Sequence, residues 1–241
     1  MSQPRRFRHL DTLINIFVVV LMISNLVGQK ICAFGDVRIS GAQLLFPITY
    51  IFGDIFTEVY GYGASRRAIW TGFLASALLA AMGMISVALP PAPEWGGQAA
   101  FATVFGFVPR LVVASLIAYW CGEFVNAFVM AKMKLITKSK FLWMRTIGST
   151  VAGQAVDTIV VIVIAFAGTA SPSSMVAMIV SGYFGKVLYE TVMTPVTYAV
   201  VNGLKRSEGI DVLDEGTDFN PFHRDKGEPP PRAMANSAGD R

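Results

Sequence analysis

The chain has 241 residues, 54% hydrophobic and 15% charged, with a mean hydropathy of +0.53. A water-soluble domain averages nearer a quarter charged, so composition excludes an ordinary soluble protein and indicates a chain built for lipid. The net charge of +4 does not indicate nucleic-acid binding, because the basic residues sit in short loops between apolar runs, as the positive-inside rule requires.

Crossing a hydrocarbon core takes about 20 mostly apolar residues, and six apolar runs follow one another along the chain. The first, about residues 10–34, follows Arg5, Arg6 and Arg8. It is too long for a signal h-region and no small-residue cleavage site closes it, so it is expected to be a retained span. The second run, about 39–61, ends in Gly61-Tyr62-Gly63-Ala64-Ser65-Arg66-Arg67, a tight loop with two cations. The third, 68–89, stops at Pro90-Pro91-Ala92-Pro93, which cannot continue a helix. A loop over 94–100 carries Trp95 as an interfacial anchor.

The fourth run, about 108–131, leads into a basic loop with Lys132, Lys134, Lys138, Lys140 and Arg145. The fifth covers about 146–167. The sixth, about 175–204, closes on Lys205-Arg206. Everything beyond Ser207 is polar, acidic and then proline-rich, and reads as a disordered tail.

Orientation follows from the cations. One side of the membrane receives Arg5, Arg6, Arg8, Arg66, Arg67, Lys132, Lys134, Lys138, Lys140, Arg145, Lys205 and Arg206; the other receives Arg38 and Arg110. The expected fold class is therefore all-α, a polytopic membrane protein of about six transmembrane helices with both termini cytoplasmic. The expected division is a cytoplasmic N-terminal segment (1–9), a six-helix membrane domain (10–206) and a disordered cytoplasmic tail (207–241).

A charge at membrane depth costs at least about 2.5 kcal/mol, so each embedded polar group is a candidate for function. Asp54 and Glu58 stand four apart and share a helix face. Asn25 and Gln29 repeat that spacing, with Lys30 beside them. Glu123 and Asn126 lie in the fourth run, Gln154 and Asp157 in the fifth, and Tyr183, Lys186 and Glu190 in the sixth, ahead of Pro195. At 1.5 Å per residue, Asp157 and Lys186 each fall roughly 16 Å into their spans, near the midplane. A plainer reading of these groups also exists: Lys186 with Asp157 or Glu190 as a structural ion pair, and Asn126 as a helix-to-helix bond. The embedded acids outnumber the embedded bases, which suits proton carriage, a cationic substrate or a donor-rich ligand.

Several chemistries lack their parts. No Walker A loop, HExxH helix or GxSxG elbow occurs in the sequence. His9 and His223 are terminal, and Cys32 and Cys121 lie far apart, so no metal site and no cofactor are expected. Asp54 and Glu58 alone offer a divalent ion fewer carboxylates than phosphoryl chemistry usually wants.

The stretch Phe46-Pro47-Ile48-Thr49-Tyr50-Ile51-Phe52-Gly53-Asp54-Ile55-Phe56-Thr57-Glu58-Val59-Tyr60-Gly61, closing on Ala64-Ser65-Arg66-Arg67, resembles the signature of the queuosine precursor transporters, the YhhQ-type members of the vitamin uptake transporter family. Tyr183-Phe184-Gly185-Lys186-Val187-Leu188 with Pro195 downstream, and the pairs Ser149-Thr150 and Asp157-Thr158, agree with it. The resemblance implies uptake of a 7-deazaguanine base across the cytoplasmic (inner) membrane. The chain would then be no enzyme, and its partners would be that small molecule, the bilayer and a possible second copy, with no nucleic acid. The substrate-binding set it suggests is Asp54, Glu58, Gln154, Asp157, Lys186, Asn25, Gln29, Tyr183 and Glu190. Two other readings stay open: a substrate-binding component of an energy-coupling vitamin transporter, and a metal-dependent membrane enzyme.

Overall fold

The computed structural model describes residues 7–28, 30–34, 37–41, 45–106, 109–168 and 170–223. Among them run seven helices: α1 (Leu10–Val27), α2 (Phe46–Tyr60), α3 (Tyr62–Ala88), α4 (Gln98–Phe105), α5 (Pro109–Thr137), α6 (Leu142–Phe166) and α7 (Pro172–Glu208). Between α1 and α2 stands an antiparallel two-stranded ladder, β1 (Ile31–Phe34) on β2 (Val37–Ser40), with Ile31 opposite Ser40. The fold is all-helical as expected, with this one small ladder added. The end of the first apolar run leaves the helix after Val27, and the β-branched residues Ile31, Val37 and Ile39 favour the extended form. The loop expected over 94–100 instead turns into α4 at Gln98.

Among the described residues, four stretches are long and apolar enough to cross a membrane: α1, α3, the segment Gln98–Thr137 that contains α5, and α6. At 15 residues, α2 reaches only about 22 Å, less than the roughly 30 Å hydrocarbon core. The 37 residues of α7 are long enough, but its polar content lowers its hydropathy. The polar content of α2 follows from its position. Every residue from Ile51 to Tyr60 is buried, and α2 packs against α1, α3, α5 and α7. A helix enclosed on all sides can be apolar or polar as its neighbours demand.

The lipid-facing helices reverse the soluble pattern. On α3, Gly72, Ser76, Ala80 and Gly83 face inward, while Leu74, Leu78, Met82 and Ile85 face outward. Small residues inside let helices approach closely, and large apolar ones outside meet acyl chains. The crossing of α5 and α6 is the tightest instance. A Cβ added at Gly122 would sit 2.7 Å from the Asp157 Cβ, and one at Gly153 would sit 2.9 Å from the Gly122 carbonyl oxygen and 2.8 Å from the Asn126 Cβ.

One end of the bundle is held by buried charge. Glu58 is wholly buried and accepts a two-pronged contact from Arg145, Nη2 to Oε1 at 2.6 Å and Nε to Oε2 at 3.1 Å. Lys205 Nζ lies 2.6 Å from Glu58 Oε1 and 2.8 Å from Asp211 Oδ1. Lys134 Nζ pairs with Asp211 at 2.6 Å and donates to the carbonyls of Glu58 and Val212. Four helices and the following segment therefore meet at one cluster. Lys134 and Arg145, read from sequence as loop cations, are the buried core of it.

The chain beyond Ser207 also departs from the disordered tail expected. α7 continues to Glu208, and Ile210, Val212, Leu213 and Asp214 are buried. Asp214 accepts from the Tyr62 N–H through both oxygens, at 3.0 and 3.1 Å, and so caps the start of α3. Gly61, the only link between α2 and α3, has φ +85, and a Cβ there would meet Val212 at 2.8 Å. Further on, Trp70 Nε1 donates to the Pro221 carbonyl and Lys132 sits 4.2 Å over the Phe219 ring. Residues 224–241 of the expected tail lie outside the described residues. At the same end, Glu208 accepts from the backbone N–H groups of Arg8 and His9.

Removing one partner of a buried ion cluster leaves the others uncompensated, at a cost of about 3–5 kcal/mol. Glu58→Ala and Arg145→Met should each lower thermal stability in detergent by that order, and the double variant by less than their sum; wild-type melting of Glu58→Ala would contradict the cluster's role. Gly153→Val should separate α5 from α6 and cost about 1–3 kcal/mol in the same measurement. Burial alone would push Asp211 up, but Lys134 and Lys205 outweigh it and hold its carboxyl below the usual value. A depressed carboxyl stabilises fully above its unfolded value and loses that contribution as pH falls through the folded one. The difference in stability between the wild type and Asp211→Asn should therefore be full at neutral pH and shrink below about pH 4.

Candidate functional site

Away from the ion cluster the helices part around a cavity of about 440 Å³, within the roughly 300–1,000 Å³ usual for small-molecule sites. Its walls come from α1, α2, α3, α5, α6 and α7. Asn25 and Ser76 stand on facing helices, joined by a 3.3 Å hydrogen bond from Asn25 Nδ2 to Ser76 Oγ. Tyr119 and Glu123, one turn apart on α5, share a face with Asn126. Gln154 and Asp157 present the neighbouring face of α6, brought close by the Gly122–Gly153 crossing.

From α7, Lys186 completes the wall and donates through Nζ to the Asp157 carboxylate, with the Thr158 hydroxyl at 3.5 Å. Both members of the pair are only about three-quarters covered (side-chain exposures of 29% and 23%), so a ligand can reach them. Glu123 is half-buried and lies in the field of Asp157, Lys186 and Glu190. Counting along the helices from Arg145 and Lys134, Asp157 and Glu123 stand about 16–18 Å above the cluster. That is near the middle of a 30 Å core.

Of the residues singled out from sequence, Asn25, Gln154, Asp157 and Lys186 line this cavity. Gln29 lies outside the described residues. Glu58 is elsewhere, in the ion cluster. Tyr183 is half-buried against Phe184 and is not on the wall. Asp54 and Glu190 are 1% exposed and sit behind the wall. Among the described residues, neither oxygen of either carboxyl has a hydrogen-bond donor. Asn126 lies beside Asp54 without the geometry of a hydrogen bond. Gly53 explains how the two layers approach, since a Cβ there would meet Glu123 Oε2 at 3.2 Å.

Glu123, Asn126 and Tyr119 belong to the wall although the substrate-binding set omitted them. The signal was present in their spacing: residues 119, 122, 123 and 126 form one helical face, with a glycine in it that marks a close crossing.

A family model described as "Putative vitamin uptake transporter" matches residues 40–200, which run from the end of β2 through most of α7. The chain is 27% identical over 167 residues to the probable queuosine precursor transporter of Bacillus subtilis (strain 168), covering 69% of this chain and 73% of that protein. It is 25% identical over 165 residues to the queuosine precursor transporter of Escherichia coli (strain K12), covering 68% and 72%. No solved structure matches the chain. These relatives are named as transporters, so neither an enzyme nor an energy-coupling component is favoured. The chain belongs to the vitamin uptake transporter family, and it is a multi-pass membrane transporter.

Proposed function

We propose that the protein imports a 7-deazaguanine base, 7-cyano-7-deazaguanine or its 7-aminomethyl relative, across the cytoplasmic membrane for queuosine formation in tRNA. The observation that carries this reading is the mid-depth pair of Asp157 and Lys186 on a cavity of base-holding size. A guanine-like edge offers N1–H and an exocyclic amine, two parallel donors for one carboxylate, and an O6 that accepts from Lys186 or Gln154. Tyr119 brings an aromatic ring to the same cavity. A site built to pair such donors discriminates strongly against analogues that lack them.

Six crossings with both ends cytoplasmic are part of the same proposal. α7 supports its own crossing with Val176, Val180, Phe184, Leu188, Val192 and Val196, an outward apolar stripe opposite the buried Glu190, Thr194 and Thr197. The start of α1 and the end of α7 meet at Glu208. The α2–α3 and α5–α6 turns lie at that same end, beside Asp214 and the ion cluster. This arrangement fits six antiparallel passes, and the cation count favours the cytoplasm for that end.

The test is rescue of tRNA modification. In bacterial cells that neither make the precursor nor carry their own importer, the chain should restore queuosine in tRNA at low external base. Asp157→Asn and Lys186→Met should each abolish rescue at unchanged protein level. No rescue by a correctly inserted wild type would sink the proposal; full rescue by both variants would sink the site.

A further inference from the structure

Four acids, Asp54, Glu123, Asp157 and Glu190, stand on the inner faces of α2, α5, α6 and α7; Lys186 pairs with Asp157 and lies in the field of Glu123. Each carboxyl is in electrostatic reach of the next: Asp157 and Glu190 of Glu123, and Glu123, Glu190 and Glu58 of Asp54. The row begins on the cavity wall and ends one helical turn from the Glu58 cluster with its Arg145, Lys134 and Lys205. Asp54 and Glu190 lack donors among the described residues, and a buried carboxylate with no donor is among the costliest groups a protein can hold. A protonated carboxyl brings its own O–H. Among the described residues no three of these carboxyls converge as ligands of a metal ion would, while their mutual reach suits a proton passed between them.

We propose that Glu123, Glu190 and Asp54 form a proton-carrying site through which inward movement of protons drives inward movement of the base. The proposal rests on the transport reading above. A proton from the outer solution reaches Glu123 through the cavity and forms an O–H bond at a carboxylate oxygen. It passes to Glu190 and Asp54, each transfer breaking one O–H bond and forming another, and leaves to water at the cytoplasmic end. The coupling lies in Asp157 and Lys186: a base that donates to Asp157 and accepts from Lys186 draws the ammonium away from Glu123, and a proton on Glu123 replaces the positive charge withdrawn. Cavity occupancy and proton occupancy then favour each other, and linkage makes that reciprocal.

The experiment uses purified full-length protein in liposomes with radiolabelled 7-cyano-7-deazaguanine. With the interior one pH unit more alkaline, accumulation should approach about tenfold per coupled proton, and adding the base outside should acidify a pH dye trapped inside. Asp54→Asn and Glu190→Gln should lose the response to the gradient. Equal uptake with and without the gradient, while the wild type still exchanges labelled for unlabelled base, overturns proton coupling and leaves the carrier reading standing. Drive by a sodium gradient alone overturns it equally. Failure of the wild type to exchange the base removes the transport reading and this one with it. The wild-type measurements decide even if the variants do not fold.

Discussion

The wholly buried Glu58 carboxylate, shared by Arg145 and Lys205 with Lys134 and Asp211 alongside, is the constraint from which the rest of the bundle follows. A charge at that depth persists only if it is paired and hydrogen-bonded, and the partners here come from α5, α6, α7 and the segment after α7. Satisfying one glutamate therefore draws four helix ends and a loop to one point. Because the same helices are pinned at that end, they can part at the other, and the cavity occupies the parted half.

The polar groups of the chain divide by how completely they are satisfied. The cluster at Glu58 is dense with donors and acts as a staple. The Asp157–Lys186 pair is closed but reachable, which is what a site that exchanges an internal partner for a ligand needs. Asp54 and Glu190, buried with no donor among the described residues, are left for a proton to satisfy. All three states sit on inner helix faces, while Leu, Val and Phe side chains face the lipid. Close crossings such as Gly122 on Gly153 bring the inner faces within reach of one another.

Much of this was legible in the sequence. Apolar runs located the long helices. A spacing of three put Gln154 and Asp157 on one face, because helical periodicity is a local property. An ion pair of Lys186 with Asp157 or Glu190 was legible, and the structure decided for Asp157. Other readings failed where a residue's neighbour lies far away in sequence. Glu58 looked like a site acid because its spacing from Asp54 says nothing of Arg145, 87 residues on. The segment after Ser207 looked disordered because its composition is polar, yet Asp214 caps α3 and Val212 fills the space beside Gly61.

The sequence by itself determined that this chain lives in a membrane, that its helices carry charge inward, and which family it resembles. Each of these depends on composition, on period or on a contiguous motif. Only the tertiary structure decided which acids staple, which line the cavity and which stand unpartnered behind it. The reason is physical: the cost of a buried carboxyl depends on the donors that reach it, and those donors arrive from helices whose order in the chain does not reveal their order in space.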